Sequence, residues 1–403
     1  MHPSGSKLVI GLLVLLGLLV SQLLALAQTE EQLPIPKRRY LIAFSNGEMT
    51  NPWRWAFVDS MEEWAYKFKN LGPGIDYIWT NAGNDSARQL MDCETLLAMQ
   101  PDILIVSPNQ DEPLDPVIDM ATAAGVPLMI IDRSLVREPP VGTYFVNITQ
   151  NYAMSGAYQA VYALEWLKVH YGEYRGNIVE IQGIIGSSPT TDEYVGIRAI
   201  LKHFPDVKII ATGEGSYSQA GGRRVMEDFL ARFGPGEIDL IICYNDAEAL
   251  GALEAIEAAG RTELLTGRIL GKDQQVAMLR ELLAGSALMT TECPPYYGPY
   301  AIPLAIRYLN GEETPPPKVY LPLRCWENPH DEIDLTPGDD EAIIKAHIQY
   351  CEEHNLALVP PETGNFDELT VDISSWPGYD EIMRYTEEGV WPEGIYDLQN
   401  TRE

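Results

Sequence analysis

Between residues 40 and 284, short β-rich apolar runs alternate with longer amphipathic stretches, and this alternation leaves few folds open. The runs are YLIAFSN (40–46), IDYIWTN (75–81), DILIVSP (102–108), PLMIIDR (127–133), TYFVNIT (143–149), NIVEIQG (177–183), VKIIATG (207–213), LIICYND (240–246) and RILGKD (268–273). Helices fit between them at Trp53–Lys69, Ala87–Met99, Pro113–Ala124, Tyr152–Tyr171, Thr190–His203, Gln219–Phe233, Ala247–Ala259 and Gln275–Ala284. Near-continuous apolar strands are buried on both faces, so the pattern predicts an α/β protein with parallel sheets covered by helices on each side. Two such sets, split near residue 149, predict two Rossmann-like doubly wound lobes. The chain's 403 residues suffice for both.

Many of the runs end alike. Asn46, Asn81, Ser107, Asp132, Gln182, Asn245 and Asp273 each close an apolar segment with a hydrogen-bonding side chain. Any one of them reads as a helix cap or turn former. In open α/β sheets, however, the ligand crevice lies beyond the carboxyl ends of the strands, and as a set across two lobes they predict a polar cleft. Planar donors and acceptors suit hydroxyl-rich ligands, and flat rings suit the C–H faces of a sugar. TNPWRWAF (50–57) supplies Asn51, Trp53 and Arg54 at a helix start, with Trp55 read as a packing residue. The second half supplies Tyr217 in a loop and Asn245 after a strand.

Catalytic signatures are sparse. None of the six histidines falls at a strand end. There is no G-x-S-x-G elbow, no Walker A loop and no G-x-G-x-x-G after the first strand. A carboxylate-pair hydrolase stays open, because acids abound. No Cys/His cluster has metal-ligand spacing, so neither metal nor cofactor is expected. A net charge of −30 argues against nucleic acid as a partner. Of that imbalance, −17 lies between Cys325 and Glu403, where 20 acids face 3 bases.

The N-terminus reads as an export signal. Lys7 precedes the apolar run Leu8–Val20, and ALAQ (25–28) offers a cleavage site after Ala27, although the apolar stretch could also serve as a retained anchor. Residues 28–39 read as a tether, which places the folded part in the periplasm or at the extracytoplasmic cell surface. Export permits disulfides among the five cysteines.

At NPWR (51–54), IIDRS (130–134), VEIQGIIGSSPTTDEYVGI (179–197), YNDAEALGALEAIEAAG (244–260), ILGKD (269–273) and TTECPPYYGP (290–299), the chain resembles a known family. It is similar to the sugar-binding proteins of ABC importers, in the ribose- and galactofuranose-binding branch of the type I periplasmic binding fold. The resemblance spans residues 40–324. It implies two lobes joined by a three-strand hinge, with crossovers near Thr149–Gln150, Cys293–Pro294 and Leu323–Arg324, that close on a sugar. The lobes would be 40–149 with 294–323, and 150–293. Through these implied hinge crossovers, Cys293 and Cys325 become a candidate disulfide pair. The implied ligand-binding set is Asn51, Trp53, Arg54, Asp132 and Arg133 from the first lobe. The second lobe adds Tyr217, Asn245 and Asp273, with Glu292 or Cys293 at a crossover. Asp132→Ala is then expected to leave the fold intact and weaken binding by about 2 kcal/mol or more.

One position departs from the family pattern. Glu193 stands where the resemblance implies a ligand-binding arginine, so donors are exchanged for acceptors and the charge is reversed. Glu193 joins the candidate set, and Lys272, beside Asp273, partly balances it. The expected ligand is a neutral monosaccharide or related polyol, with a cationic sugar as the alternative. The expected role is a monomeric, non-catalytic receptor that delivers its solute to ABC permease subunits. A receptor for a membrane sensor or chemoreceptor is the alternative reading, and an extracytoplasmic carbohydrate-active enzyme a further one. Residues 324–403 form an acidic C-terminal extension beyond the family pattern. Helices are predicted over 339–355, capped by Asp339, and over 379–389, ending at Gly389, with Trp326, Trp376 and Trp391 packing the arm on the body.

Overall fold

The computed structural model describes residues 33–137, 145–336, 340–359 and 371–395. The signal read at 1–27, part of the tether at 28–39 and the cap at Asp339 lie outside these residues. Among the described residues, no helix is long and apolar enough to cross a membrane.

The first half of the chain alternates as its pattern predicts: β1 (Tyr40–Asn46), α1 (Pro52–Phe68), β2 (Ile75–Asn81), α2 (Ser86–Ala98), β3 (Ile103–Ser107), α3 (Asp111–Leu114), α4 (Pro116–Ala124), β4 (Leu128–Asp132) and β5 (Phe145–Thr149). The second continues with α5 (Tyr152–Tyr171), β6 (Gly176–Gln182), α6 (Ser188–Leu201), β7 (Val207–Glu214), α7 (Gln219–Arg232), β8 (Leu240–Cys243), α8 (Asp246–Ala259), β9 (Ile269–Lys272), α9 (Val276–Ala284) and β10 (Met289–Thr291). Then come α10 (Gly298–Leu309), β11 (Lys318–Tyr320), β12 (Cys325–Glu327), α11 (Asp340–His354) and α12 (Tyr379–Glu388).

Two six-stranded sheets result, ordered β11-β5-β4-β3-β1-β2 and β12-β10-β9-β8-β6-β7. Every pairing is parallel except β10 with β12. Side chains alternate across each sheet, so each builds two cores. In the first sheet Ile42, Phe44, Ile105, Met129 and Ile131 pack with α1 and α10, while Ala43, Leu104, Val106, Leu128 and Ile130 pack with α2 and α4. The second sheet likewise places Ile178 and Leu240 against α5 and α6, and Val179, Ile181 and Ile241 against α7, α8 and α9. The chain passes between the sheets three times, after β5, after β10 and between β11 and β12.

Several elements differ from the sequence expectation. The helix read over Pro113–Ala124 is broken at Asp115, because Pro116 brings no N–H to the ladder. Helix α10 contains Pro303, and β10, β11 and β12 are three residues each, too short to show a period. Trp55 does not pack: it is 56% exposed, whereas Trp53 is buried. The Cys293–Cys325 pair does not form, and all five cysteines are free and buried. The antiparallel register sets Cys325 opposite Thr291, so Cys293 lies two residues, roughly 7 Å, farther along.

The C-terminal extension is packed on both lobes. Ile344 and Cys351 of α11 join the core under α9, and Ile382 of α12 joins the core under α5 and α6. Val276 N–H donates to the Ala357 carbonyl at 3.0 Å, while Leu358 lies fully buried in the first lobe's core. Trp376 meets Tyr174 and Phe204 edge-on or tilted, and Trp391 meets Tyr385. Near the C-terminal end of α12, Tyr385 donates to Asp192 of the second lobe at 2.7 Å, and Tyr320 of the first lobe donates to the Thr386 carbonyl at 3.2 Å.

Candidate ligand-binding site

The carboxyl ends of the two sheets face each other across a cleft. Asn51 caps α1 by accepting from the Arg54 N–H at 2.9 Å, which leaves its amide group free to reach the opposite lobe. There it donates to the Tyr217 carbonyl at 3.0 Å, an oxygen that also accepts from Asn245 at 3.3 Å. Asn245 in turn caps α8, accepting from the Glu248 N–H at 2.8 Å. Farther along the seam, the Ser188 N–H donates to Asp111 at 2.9 Å, and the Ser134 N–H donates to the Ser188 hydroxyl at 2.8 Å. Gln110 donates to the Ile185 carbonyl at 3.0 Å. These direct bonds define a closed arrangement of the lobes.

Between them lies a small cavity lined by both lobes. Its first-lobe wall is an ionic lattice. Arg54 donates through Nε to Glu48 at 2.9 Å and through Nη1 to the Ser107 hydroxyl at 2.9 Å, and its Nη2 pairs with Asp132 at 2.9 Å. Asp132 also accepts from Ser107 at 3.0 Å and from the Tyr152 hydroxyl at 2.9 Å. Its backbone sits at φ 68, in the left-handed region, which turns the side chain at the strand end. Arg133 donates to the Pro108 and Asn109 carbonyls at 3.2 and 2.6 Å and to Glu48 at 3.4 Å, while its buried Nε lies 3.7 Å from Asp132 Oδ2 with no hydrogen bond among the described residues. Burial works to raise the Glu48 carboxyl, but Arg54, Arg133 and Thr50 outweigh it and hold the group below the usual range. Trp53 donates its indole N–H to the Cys293 carbonyl and stacks on Phe57, with ring centroids 5.3 Å apart.

The second-lobe wall is Tyr217, Asn245, Lys272 and Asp273, with Pro189 beside them. Tyr217 is held by a 2.7 Å contact between its hydroxyl and that of Thr190, and its N–H donates to Glu248 at 2.7 Å. Lys272 donates to Glu193 at 2.5 Å. Burial works against the Lys272 charge, but Glu193, Tyr217, Cys293 and Asp273 together outweigh it and raise its pKa. Burial pushes the Glu193 carboxyl up to about 7 in spite of Lys272. Asp273 is raised by burial and by neighbouring Asp246.

Eight of the ten candidate residues line this one cavity: Asn51, Trp53, Arg54, Asp132, Arg133, Tyr217, Asn245 and Asp273. Glu193 stands behind the wall on α6, reaching it through Lys272. Glu292 is elsewhere, paired with Arg324 at 3.1 Å, and Cys293 takes the lining position at that crossover. Successive residues of an extended segment point to opposite sides, which separates the two. Glu48 and Tyr152 line the cavity without having been singled out in the sequence. Glu48 lies between β1 and α1, where the GEM tripeptide shows no motif, and Tyr152 reads as an ordinary helix residue.

A sequence model described as "Periplasmic binding protein domain" matches residues 42–313. A xylitol-binding protein of Mycolicibacterium smegmatis is 30% identical over 188 residues, which cover 47% of this chain and only 51% of that protein. A ribose import binding protein of Bacillus subtilis is 26% identical over 278 residues, covering 69% of this chain and 84% of its own. The solved binding component of an arabinose ABC transporter from Shewanella sp. ANA-3, bound to L-arabinofuranose, shares the fold with a TM-score of 0.67 at 22% identity. It covers 78% of this chain and 96% of its own. With two helix-covered parallel sheets closing on one polar cavity and a family match over most of its length, the chain belongs to the periplasmic binding protein domain family.

Proposed function

We propose that the protein is an exported, non-catalytic receptor that captures a neutral monosaccharide or polyol between its lobes and delivers it to the permease of an ABC transporter. One observation carries this reading. Planar hydrogen-bonding groups from both lobes, Asn51, Arg54, Asp132 and Arg133 on one side and Asn245 and Asp273 on the other, converge on one cavity. A ligand touching both walls stabilises the closed form by its differential affinity for it. Matching relatives include binding proteins for xylitol and ribose, which supports the same ligand class.

Calorimetry of the folded chain against D-ribose, D-xylose, xylitol, D-galactose and D-glucosamine tests the reading. The expected result is stoichiometric binding of at least one neutral member, recovered chemically unaltered. Turnover of the bound sugar, or no binding across the set, would overturn it.

A further inference from the structure

The Lys272–Glu193 pair is the part of the cavity that its family resemblance leaves unexplained. At the α6 position where a guanidinium is implied there is a carboxylate, Glu193, fully buried behind the wall. An ammonium arrives instead from the end of β9. Lys272 is 2% exposed and lines the cavity. Its Nζ donates to Glu193 Oε2 at 2.5 Å and lies 4.9 Å from the ring centre of Tyr152 and 5.7 Å from that of Tyr217. Both rings line the cavity too. An ammonium carries three N–H donors, and Glu193 takes one. The two aromatic faces steer the charge without consuming the others. The next residue, Asp273, places a carboxylate on the same wall, where among the described residues its hydrogen bond is with Gln275 at 3.5 Å. A buried ion pair is a poor device for stability alone, since apolar replacements are often neutral or better. Placing one at a cavity wall, with N–H bonds unspent, suits recognition.

We propose that Lys272 contacts the ligand directly, that Glu193 is the residue positioning it, and that the ligand presents a vicinal diol to Lys272 and Asp273. This rests on the cavity being the solute site. One hydroxyl oxygen accepts from the ammonium, while the adjacent hydroxyl donates to the Asp273 carboxylate. A cationic sugar meets Lys272 and Arg133, and an anionic one meets Asp273, Asp132 and Glu48. The pairing therefore selects a neutral polyhydroxylated ligand. The cation that the family pattern draws from α6 is supplied here by β9, and the exchanged carboxylate serves as its tether.

The test uses calorimetry on the full folded chain with the five sugars above and monodeoxy forms of each one that binds. Lys272→Met alone strands a buried carboxylate and risks misfolding, so the deciding variant is Lys272→Met combined with Glu193→Gln, which removes both charges. With a native circular dichroism spectrum, the double variant is expected to lose roughly tenfold or more in affinity, the scale of a charged hydrogen bond. One monodeoxy form should cost the wild type a similar factor and cost the double variant nothing further. Glu193→Gln alone, whose amide oxygen still accepts from Nζ, should stay within about threefold of wild type, whereas Glu193→Ala should not. A folded double variant with wild-type affinity would make the pair merely structural and sink the proposal. So would exclusive binding of D-glucosamine. Failure of the wild type to bind any sugar is a separate result: it removes the receptor reading, and this proposal with it.

Discussion

The side-chain amide of Asn51, on the first lobe, donates to the backbone carbonyl of Tyr217, on the second, at 3.0 Å. The same asparagine caps α1 through its oxygen. Latch and cap are thus separable. Asn51→Ser retains a good capping oxygen but cannot reach across the cleft. Losing one neutral hydrogen bond, about 1 kcal/mol, is expected to shift the closed-to-open equilibrium roughly fivefold toward open. Small-angle scattering of the ligand-free protein should show a larger radius of gyration, with an unchanged melting temperature for the lobes.

Asp132 is as much a structural residue as a candidate ligand contact. It accepts from Arg54, Ser107 and Tyr152 and holds a left-handed backbone. The sequence-based expectation that Asp132→Ala leaves the fold intact is therefore revised. Removing one member of a buried pair leaves Arg54 undercompensated, and the variant should lose about 3 kcal/mol of stability by urea unfolding. Asp132→Asn, which tolerates the left-handed conformation, should lose less.

Three almost fully buried carboxyls, Glu193, Glu248 and Glu292, and the half-buried Asp192 hold their protons to unusually high pH. In each case burial is the leading cause: it pushes Asp192 to about 6, Glu193 and Glu292 to about 7, and Glu248 to about 8. Their ordinary values are 3.8 for Asp and 4.5 for Glu. From about pH 4 to about pH 8 the native state thus binds more of these protons than the unfolded chain, so stability falls as pH rises through that window. Glu48 acts in the opposite sense, and its contribution is lost as pH drops through its depressed pKa. Thermal melts in half-unit steps should show a maximum on the acidic side of neutrality. Asp192→Asn, which keeps an acceptor for Tyr385, should flatten the decline between pH 4 and pH 6.

Leu358 belongs to the C-terminal extension yet is buried in the first lobe's core. Leu358→Ala should destabilise the protein by about 3 kcal/mol, the range of a core leucine truncation. Unchanged chemical stability would mean that the arm is only a solvated tail.

The free thiols give a direct chemical count. All five cysteines are buried and unpaired. An aromatic disulfide reagent should react with essentially none in the native protein and with all five in denaturant, without reductant. A count of three would restore the hinge disulfide.

Local pattern determined the two helix-covered sheets between residues 40 and 284, while the hinge crossovers came from the family resemblance. Most strands in the 40–284 region are apolar runs whose alternate residues feed two cores, as Ile42 and Ala43 do, and of the polar strand ends Asp132, Asn245 and Asp273 line the cavity, Asn245 also capping a helix. These features repeat over a few residues, so they are legible without knowing what lies opposite. The eight candidate residues that gather in the cavity follow from that placement together with the family resemblance. Tertiary structure decided the pairings. Lys272 finds Glu193 79 positions away, Asp132 is claimed by Arg54 and Tyr152, Cys293 rather than Glu292 faces the cavity, and Leu358 crosses into the other lobe's core. Periodicity fixes which way a side chain points from its own element. Only the packing of remote elements determines which charge or ring it meets there, and burial then sets the strength of that meeting by removing the water that would screen it.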